Sequence, residues 1–288
     1  MHIRKAVITA AAREQRHLPV QRLLDQNGEE HSVLRLIVGE AVRAGIEDIC
    51  IVVCPGDEDA YARLLADLSA RLTFVPQAEP RGYAHAVFCT RAFAGDEPFL
   101  HFVGDHVYVS SESSACARRL VETASSEACS VSAVQVTRER LLPRYGAVGG
   151  QPVQGRPGLY RVETVLEKPT PTEAEQHLIV PGLRNGQYLC FYGMHVLTPA
   201  VFDILDAMFK GVPPEGISLS STLAELAHRE QYMAMVQTGR RFDIGAKYGL
   251  FTAQLALALS GRDRDEVLIE LVNVLAAREM FSEKGTSI

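Results

Sequence analysis

Asp105 follows the apolar run PFLHFV and Gly104, so its carboxylate stands at the end of a buried strand, in a fixed and exposed place. A hard cation such as Mg2+ takes oxygen ligands of this kind. The plainer reading is an aspartate that caps the next helix. Glu167, Lys168 and Pro169 come directly after a second apolar run, with the proline setting where the loop starts. Their plainer reading is a solvated Glu-Lys pair. In QAEPRGYAHAV, the Gln77 amide offers one hydrogen-bond donor and one acceptor, and Gly82 lets the backbone come close to a ligand. Arg81 is either a local cation or a solvated side chain, and His85 reads as a partly buried core histidine. Asp243 precedes Gly245 in RFDIG, a place where aspartate often forms a turn.

The elements that must position these residues alternate. AVITA, ICIVVC, LTFVP, PFLHFVGD and CSVSAVQV read as strands. VLRLIVGEAVRAG, EDAYARLLADLSARL, AHAVFCTRAFAG and CARRLVETASS read as the helices between them, the first closed by Gly45 and the third by Gly95. This rhythm predicts an α/β fold with a doubly wound, mostly parallel, Rossmann-like sheet. Ligands in such sheets sit beyond the carboxyl ends of the strands, which gathers the loop after AVITA, the QAEPRG loop and Gly104-Asp105 on one rim. The second half is more mixed. LYRVETVLEKP, LCFYGMHVL and YMAMVQT read as strands, PAVFDILDAMF and LSSTLAELAHRE as helices, and FDIG as a turn. GGQPVQGRPG and KGVPPEG read as surface hairpins or loops. Two helices, 246–260 and 263–280, close the chain ahead of a frayed tail, FSEKGTSI. The expected division is a domain over 1–260 and a C-terminal helix and tail over 261–288.

The order of KAVITAAAREQRHLP, EAVRAGIEDICIVV, QAEPRGYAHAV, GDEPFLHFVGD, VLEKP, GMHVLTP and FDIGAKYG resembles the sugar-1-phosphate nucleotidyltransferases, and most of all the bacterial UTP–glucose-1-phosphate uridylyltransferase type. The resemblance implies attack of a sugar-1-phosphate oxygen on the α-phosphate of a nucleoside triphosphate, with pyrophosphate leaving. That chemistry needs charge neutralisation and in-line positioning. By resemblance Asp105 and Asp243 hold Mg2+, and Glu167 holds sugar hydroxyls. Lys168 and Lys247 reach the sugar phosphate, Gln77 and Gly82 meet the base, and Gly193 approaches the sugar. The plainer readings of Lys247 and Gly193 are a surface lysine and a β-bulge glycine.

The first loop departs from the family form AAGxGTRxxP. Here it is AAAREQRHLP, so Ala10, Ala11, Arg16 and Pro19 keep the pattern, while Ala12 and Glu14 replace glycines and Gln15 replaces threonine. Alanine closes off positive φ, and a carboxylate repels a triphosphate. The Pro-Lys pair that follows in the family is missing, which leaves Arg16 or Arg22 to meet phosphate. Two functions follow. One is a uridylyltransferase that makes UDP-glucose and pyrophosphate with a remodelled loop, Arg16 being the surviving triphosphate contact. The other is a sugar-nucleotide-binding regulator, or the inactive partner of an active paralogue. Asp105-His106-Val107 lacks the Asp-x-Asp of related glycosyltransferases, and no GxGxxG follows the first strand.

A net charge of −6 and no basic stripe argue against nucleic acid as partner. No apolar run reaches the roughly 18 residues of a membrane span, and MHIRKAVITAAA reads as a first strand. Six scattered cysteines read as reduced core residues of a cytoplasmic protein. Assembly into a homo-oligomer is compatible with this composition.

Overall fold

A computed structural model of the chain describes residues 1–110, 115–211 and 217–283, with side chains to residue 277. Part of the KGVPPEG loop (212–216) and the end of the tail (284–288) lie outside the described residues. Strands β1 (Lys5–Ala10), β4 (Asp48–Val53), β5 (Arg71–Pro76) and β6 (Phe99–Val103) form a parallel block. Residues of β1 and β4 alternate between two cores. Ala6, Ile8, Ile49 and Ile51 face one, and Val7, Cys50 and Val52 face the other. Helices α1 (Val33–Arg43) and α5 (Cys116–Glu127) cover the first face. Helices α3 (Tyr83–Phe88), α7 (Ala200–Gly211) and α8 (Leu219–Arg229) cover the second. The doubly wound expectation is met.

The remaining strands of the large sheet are β8 (Ser130–Arg138), β9 (Ala147–Pro152), β10 (Leu159–Leu166), β11 (Gln187–Leu197) and β12 (Tyr232–Val236). The nine-stranded order is β5-β4-β1-β6-β11-β8-β12-β10-β9. β12 runs parallel to β8, whereas β11 is antiparallel to β6 and β8, and β10 is antiparallel to β12 and β9. The sheet is therefore parallel in its first half and mixed in its second. Strand order reverses at β1, which places a crevice at the carboxyl ends of β1 and β6.

Some elements differ from expectation. AHAVFCTRAFAG is two helices, α3 and α4 (Arg91–Ala94), because the Thr90 hydroxyl donates to the Val87 carbonyl at 2.7 Å and competes with the helical ladder. The helix expected over EDAYARLLADLSARL is shorter, α2 (Glu58–Leu64), ending where Leu65 leaves helical geometry. FDIG is no simple turn. Arg240–Asp243 is a strand, β13, paired antiparallel with β7 (His106–Val109). A β2 (Arg22–Leu24)–β3 (Glu30–Ser32) hairpin and α6 (Pro171–His177) also went unread, being too short for a periodic signal. GGQPVQGRPG joins β9 to β10 as a hairpin. Helices α9 (Gly249–Leu259) and α10 (Arg264–Glu283) close the described chain. Five of the six cysteines are buried and all are free thiols.

Candidate active site

Three adjoining hollows run along the crevice, and Tyr83 borders all of them. The first is lined by Gln77, Gly82, Ala11, Ala12 and Glu14. The middle one is lined by Ala10, Gln15, Asp105, Arg144 and Lys168. The third is lined by Glu167, Gly193, His195, Ser220 and again Arg144. The loop after β1, the loop after β5 and Gly104-Asp105 thus share one rim. Gly104 is needed there, since a Cβ would lie 2.6 Å from the Thr9 carbonyl oxygen.

The first hollow is shaped by an internal hydrogen bond. Gln77 is buried, and its Nε2 donates to the Gly82 carbonyl at 3.0 Å and lies 3.1 Å from His85 Nδ1. Gly82 has φ +86°, and nothing stands within 4 Å of where its Cβ would be, so the space above it is open. His85 packs edge-on against Phe209, and burial holds its pKa below the usual value.

At the middle hollow, β7 and β13 bring Asp243 across from His106. Carboxylate oxygens of Asp105 and Asp243 and a ring nitrogen of His106 lie within 4.8 Å of one another. Burial alone would raise the Asp105 carboxyl; the hydrogen bond from His106 Nδ1 at 2.7 Å and the nearby charge outweigh it and hold the pKa below the ordinary value. Two converging carboxylates are the donor set a hard divalent cation takes. Asp243 also makes the turn read from the sequence, its Oδ1 accepting from the Gly245 and Ala246 amides at 3.0 and 3.2 Å.

At the third hollow, the Ser220 hydroxyl donates to Glu167, and Lys168 Nζ stands 3.9 Å from the same carboxylate. Lys168 has φ +46°, a left-handed conformation costly for a residue with a Cβ and characteristic of functional loops. Gly193 lies at a register irregularity of β11 with φ +85°; a Cβ there would meet Val103 at 2.8 Å. It is a bulge glycine and a lining residue at once.

From Tyr83, exposed at the crevice, a polar string runs into the core. Tyr83 OH lies 3.3 Å from His101 Nδ1, and His101 stacks on His195. His195 Nδ1 is 2.6 Å from Ser132 Oγ, which bonds Tyr232. Burial drives the pKa of His101 far down and that of His195 to about 3, so both are neutral.

Ala10, Ala11, Gln77, Gly82, Asp105, Glu167, Lys168 and Gly193 therefore line one crevice, with Asp243 beside Asp105. Arg16 does not reach it. Its guanidinium grips Asp57 through Nε and Nη2. Arg22 pairs with Glu30 and Arg81 with Glu79. Lys247 is exposed, 5.2 Å from the centre of the Tyr248 ring and outside the three hollows. Sequence reasoning missed Tyr83, His106 and Arg144. Tyr83 stood inside a motif already singled out, whereas Arg144 ends a six-residue 3-10 helix, Glu139–Arg144, too short for periodicity to mark it.

The nucleotidyl transferase family profile matches residues 20–259, starting just past the loop that departs from the family form. A UTP–glucose-1-phosphate uridylyltransferase of Bacillus subtilis, YngB, is 30% identical, over 95% of this chain and 96% of its own. One from Streptococcus pneumoniae is 29% identical, over 96% and 99%. Among solved structures, a UDP-glucose pyrophosphorylase complexed with UDP-glucose superposes with a TM-score of 0.71 at 21% identity, covering 88% of this chain and 98% of that one. A UTP-bound UGPase from Acinetobacter baumannii gives 0.72 at 20% identity, covering 94% and 99%.

Proposed function

The chain belongs to the nucleotidyl transferase family, and from that premise we propose that it joins UTP and glucose-1-phosphate to give UDP-glucose and pyrophosphate. The observation that carries this reading is the linear order of the crevice. A hollow floored by Gln77 and Gly82 leads to the Asp105–Asp243 pair and then to a hollow holding Glu167 and Gly193. A nucleotide and a sugar phosphate fit such a trough end to end, with their phosphates meeting in the middle. The names of the relatives favour this over a binding-only regulator.

In this reading Gln77 and the open backbone at Gly82 receive the base, with Ala10 and Ala11 lining the path of the triphosphate. Glu167, held by Ser220, accepts from sugar hydroxyls near Gly193. Lys168 neutralises the sugar phosphate, and the exposed Lys247 swings in to join it. Arg16 exchanges Asp57 for the triphosphate. Asp105 and Asp243 would hold Mg2+, with His106 fixing Asp105 through its Nδ1. The metal supplies charge neutralisation at the phosphates. Residues 1–260 form the catalytic unit and 261–288 an appended C-terminal helix and tail, in line with a family match that ends at 259.

The reading places the enzyme in the cytoplasm. Among the described residues no helix is long and apolar enough to cross a membrane. Self-association belongs to it too, since Ile269, Val272, Val274 and Leu275 of α10 are each more than 60% exposed, surface of the kind a second copy covers. A monomer mass by sedimentation would remove that part. The main test is pyrophosphate release from UTP, Mg2+ and glucose-1-phosphate, beside Asp105→Asn. Release by the wild type well above the variant is expected; equal release sinks the proposal.

A further inference from the structure

The cations expected near the triphosphate are engaged elsewhere, Arg16 by Asp57 and Arg22 by Glu30. Arg144 is different. It borders both the hollow that holds Asp105 and Lys168 and the hollow that holds Glu167 and Gly193. Among the described residues its guanidinium has no carboxylate partner, and of the arginines lining the three hollows, Arg13 and Arg144, it is the one that reaches the middle and third.

The backbone on either side of Arg144 is anchored. Leu142 is fully buried. The Tyr145 amide bonds the Leu142 carbonyl at 3.1 Å, and the Tyr145 ring lies under the Arg241 guanidinium at 3.7 Å. The Gly146 carbonyl accepts from the Phe191 amide at 2.9 Å, tying the segment to β11. Arg144 is thus an exposed cation on a fixed base, without an ion-pair partner among the described residues and bordering both hollows.

We propose that Arg144 binds the phosphate of the sugar substrate, adding a phosphate-binding cation to a crevice from which the lysine of the Pro-Lys pair is missing. The proposal rests on the nucleotidyl transferase reading of the crevice. A guanidinium can take two phosphate oxygens at once, whereas Lys168 offers a point charge. Together they offset a dianionic phosphate and hold it where the middle and third hollows meet. That is where a sugar-phosphate oxygen must lie to attack the α-phosphorus, forming the new P–O bond as the bond to the β-phosphate oxygen breaks and pyrophosphate leaves.

The test compares wild type, Arg144→Ala and Arg144→Lys in two measurements. One is calorimetric binding of UDP-glucose and of uridine, which has no phosphate. The other is steady-state pyrophosphate release with varied glucose-1-phosphate. Arg144→Ala is expected to weaken UDP-glucose binding and raise the KM for glucose-1-phosphate, each by roughly tenfold or more. Its uridine affinity and melting temperature should stay at wild-type values, with Arg144→Lys between. UDP-glucose affinity within twofold of an active wild type overturns the proposal, as does an equal loss for uridine. A wild type that neither releases pyrophosphate nor binds UDP-glucose overturns the underlying reading, and Arg144's role with it.

Discussion

Asp243 lies directly opposite His106 in the antiparallel ladder of β7 and β13, and His106 holds the Asp105 carboxylate at 2.7 Å. A two-stranded ladder outside the main sheet therefore brings together two acids distant in sequence. Asp243 has a structural duty as well, closing the turn at Gly245 and Ala246.

Asparagine separates these duties, because its side-chain oxygen can still accept from both amides while the charge is gone. Asp243→Asn should keep the wild-type melting temperature and lose about 100-fold or more in turnover, which is about 2.7 kcal/mol. Asp243→Ala should lose both turnover and stability. Thermal unfolding beside a pyrophosphate assay checks this, and full turnover in Asp243→Asn would remove the aspartate from the metal site.

Glu14 lines the first hollow, where the family form has a glycine. A carboxylate there opposes a triphosphate. Glu14→Gln should tighten UTP roughly threefold at low ionic strength, and the gain should shrink at 0.5 M salt, since exposed charges are screened. Equal affinity for UTP in the two proteins would place the loop away from the nucleotide.

Arg16 can serve the triphosphate only by leaving Asp57, so the acid competes with the substrate. Asp57→Asn should lower the KM for UTP several-fold. Adding Arg16→Ala should abolish the gain, a coupling that a double-mutant cycle isolates. Additive effects would mean that Arg16 only anchors its loop.

The parallel half of the fold was legible because its strands are buried on both faces and read as unbroken apolar runs, as in ICIVVC. Asp105 was legible for the same reason, as the first charge after such a run. What escaped is short or set by distant partners. HVYV and RRFD are four residues each and make a strand pair only by meeting one another. Arg144 is indistinguishable in sequence from any surface arginine. It is the lack of an acid beside it, and its place between two hollows, that mark it. Arg16 fits the family pattern by spacing, yet spacing could not reveal Asp57.

The buried histidines make stability depend on pH. His195 sits in the core with its pKa held down to about 3 by burial, and His101 is displaced in the same direction. In the unfolded chain both return to about 6.5. Between those values the unfolded state binds protons that the native state refuses. The stability is therefore complete above about pH 6.5 and is lost as the pH falls toward 3, by up to about 1.4 kcal/mol per pH unit for each histidine. Acidic side chains add their own dependence below about pH 5, so the difference between proteins is the quantity to measure. His195→Gln keeps a polar group near Ser132 and removes one titrating site. Urea unfolding at pH 7.0, 6.0 and 5.0 should show the wild type losing stability more steeply than His195→Gln, by about 1 kcal/mol per unit. Parallel curves would mean that His195 is protonated in the native protein, and the neutral string from Tyr83 to Tyr232 would have to be redrawn.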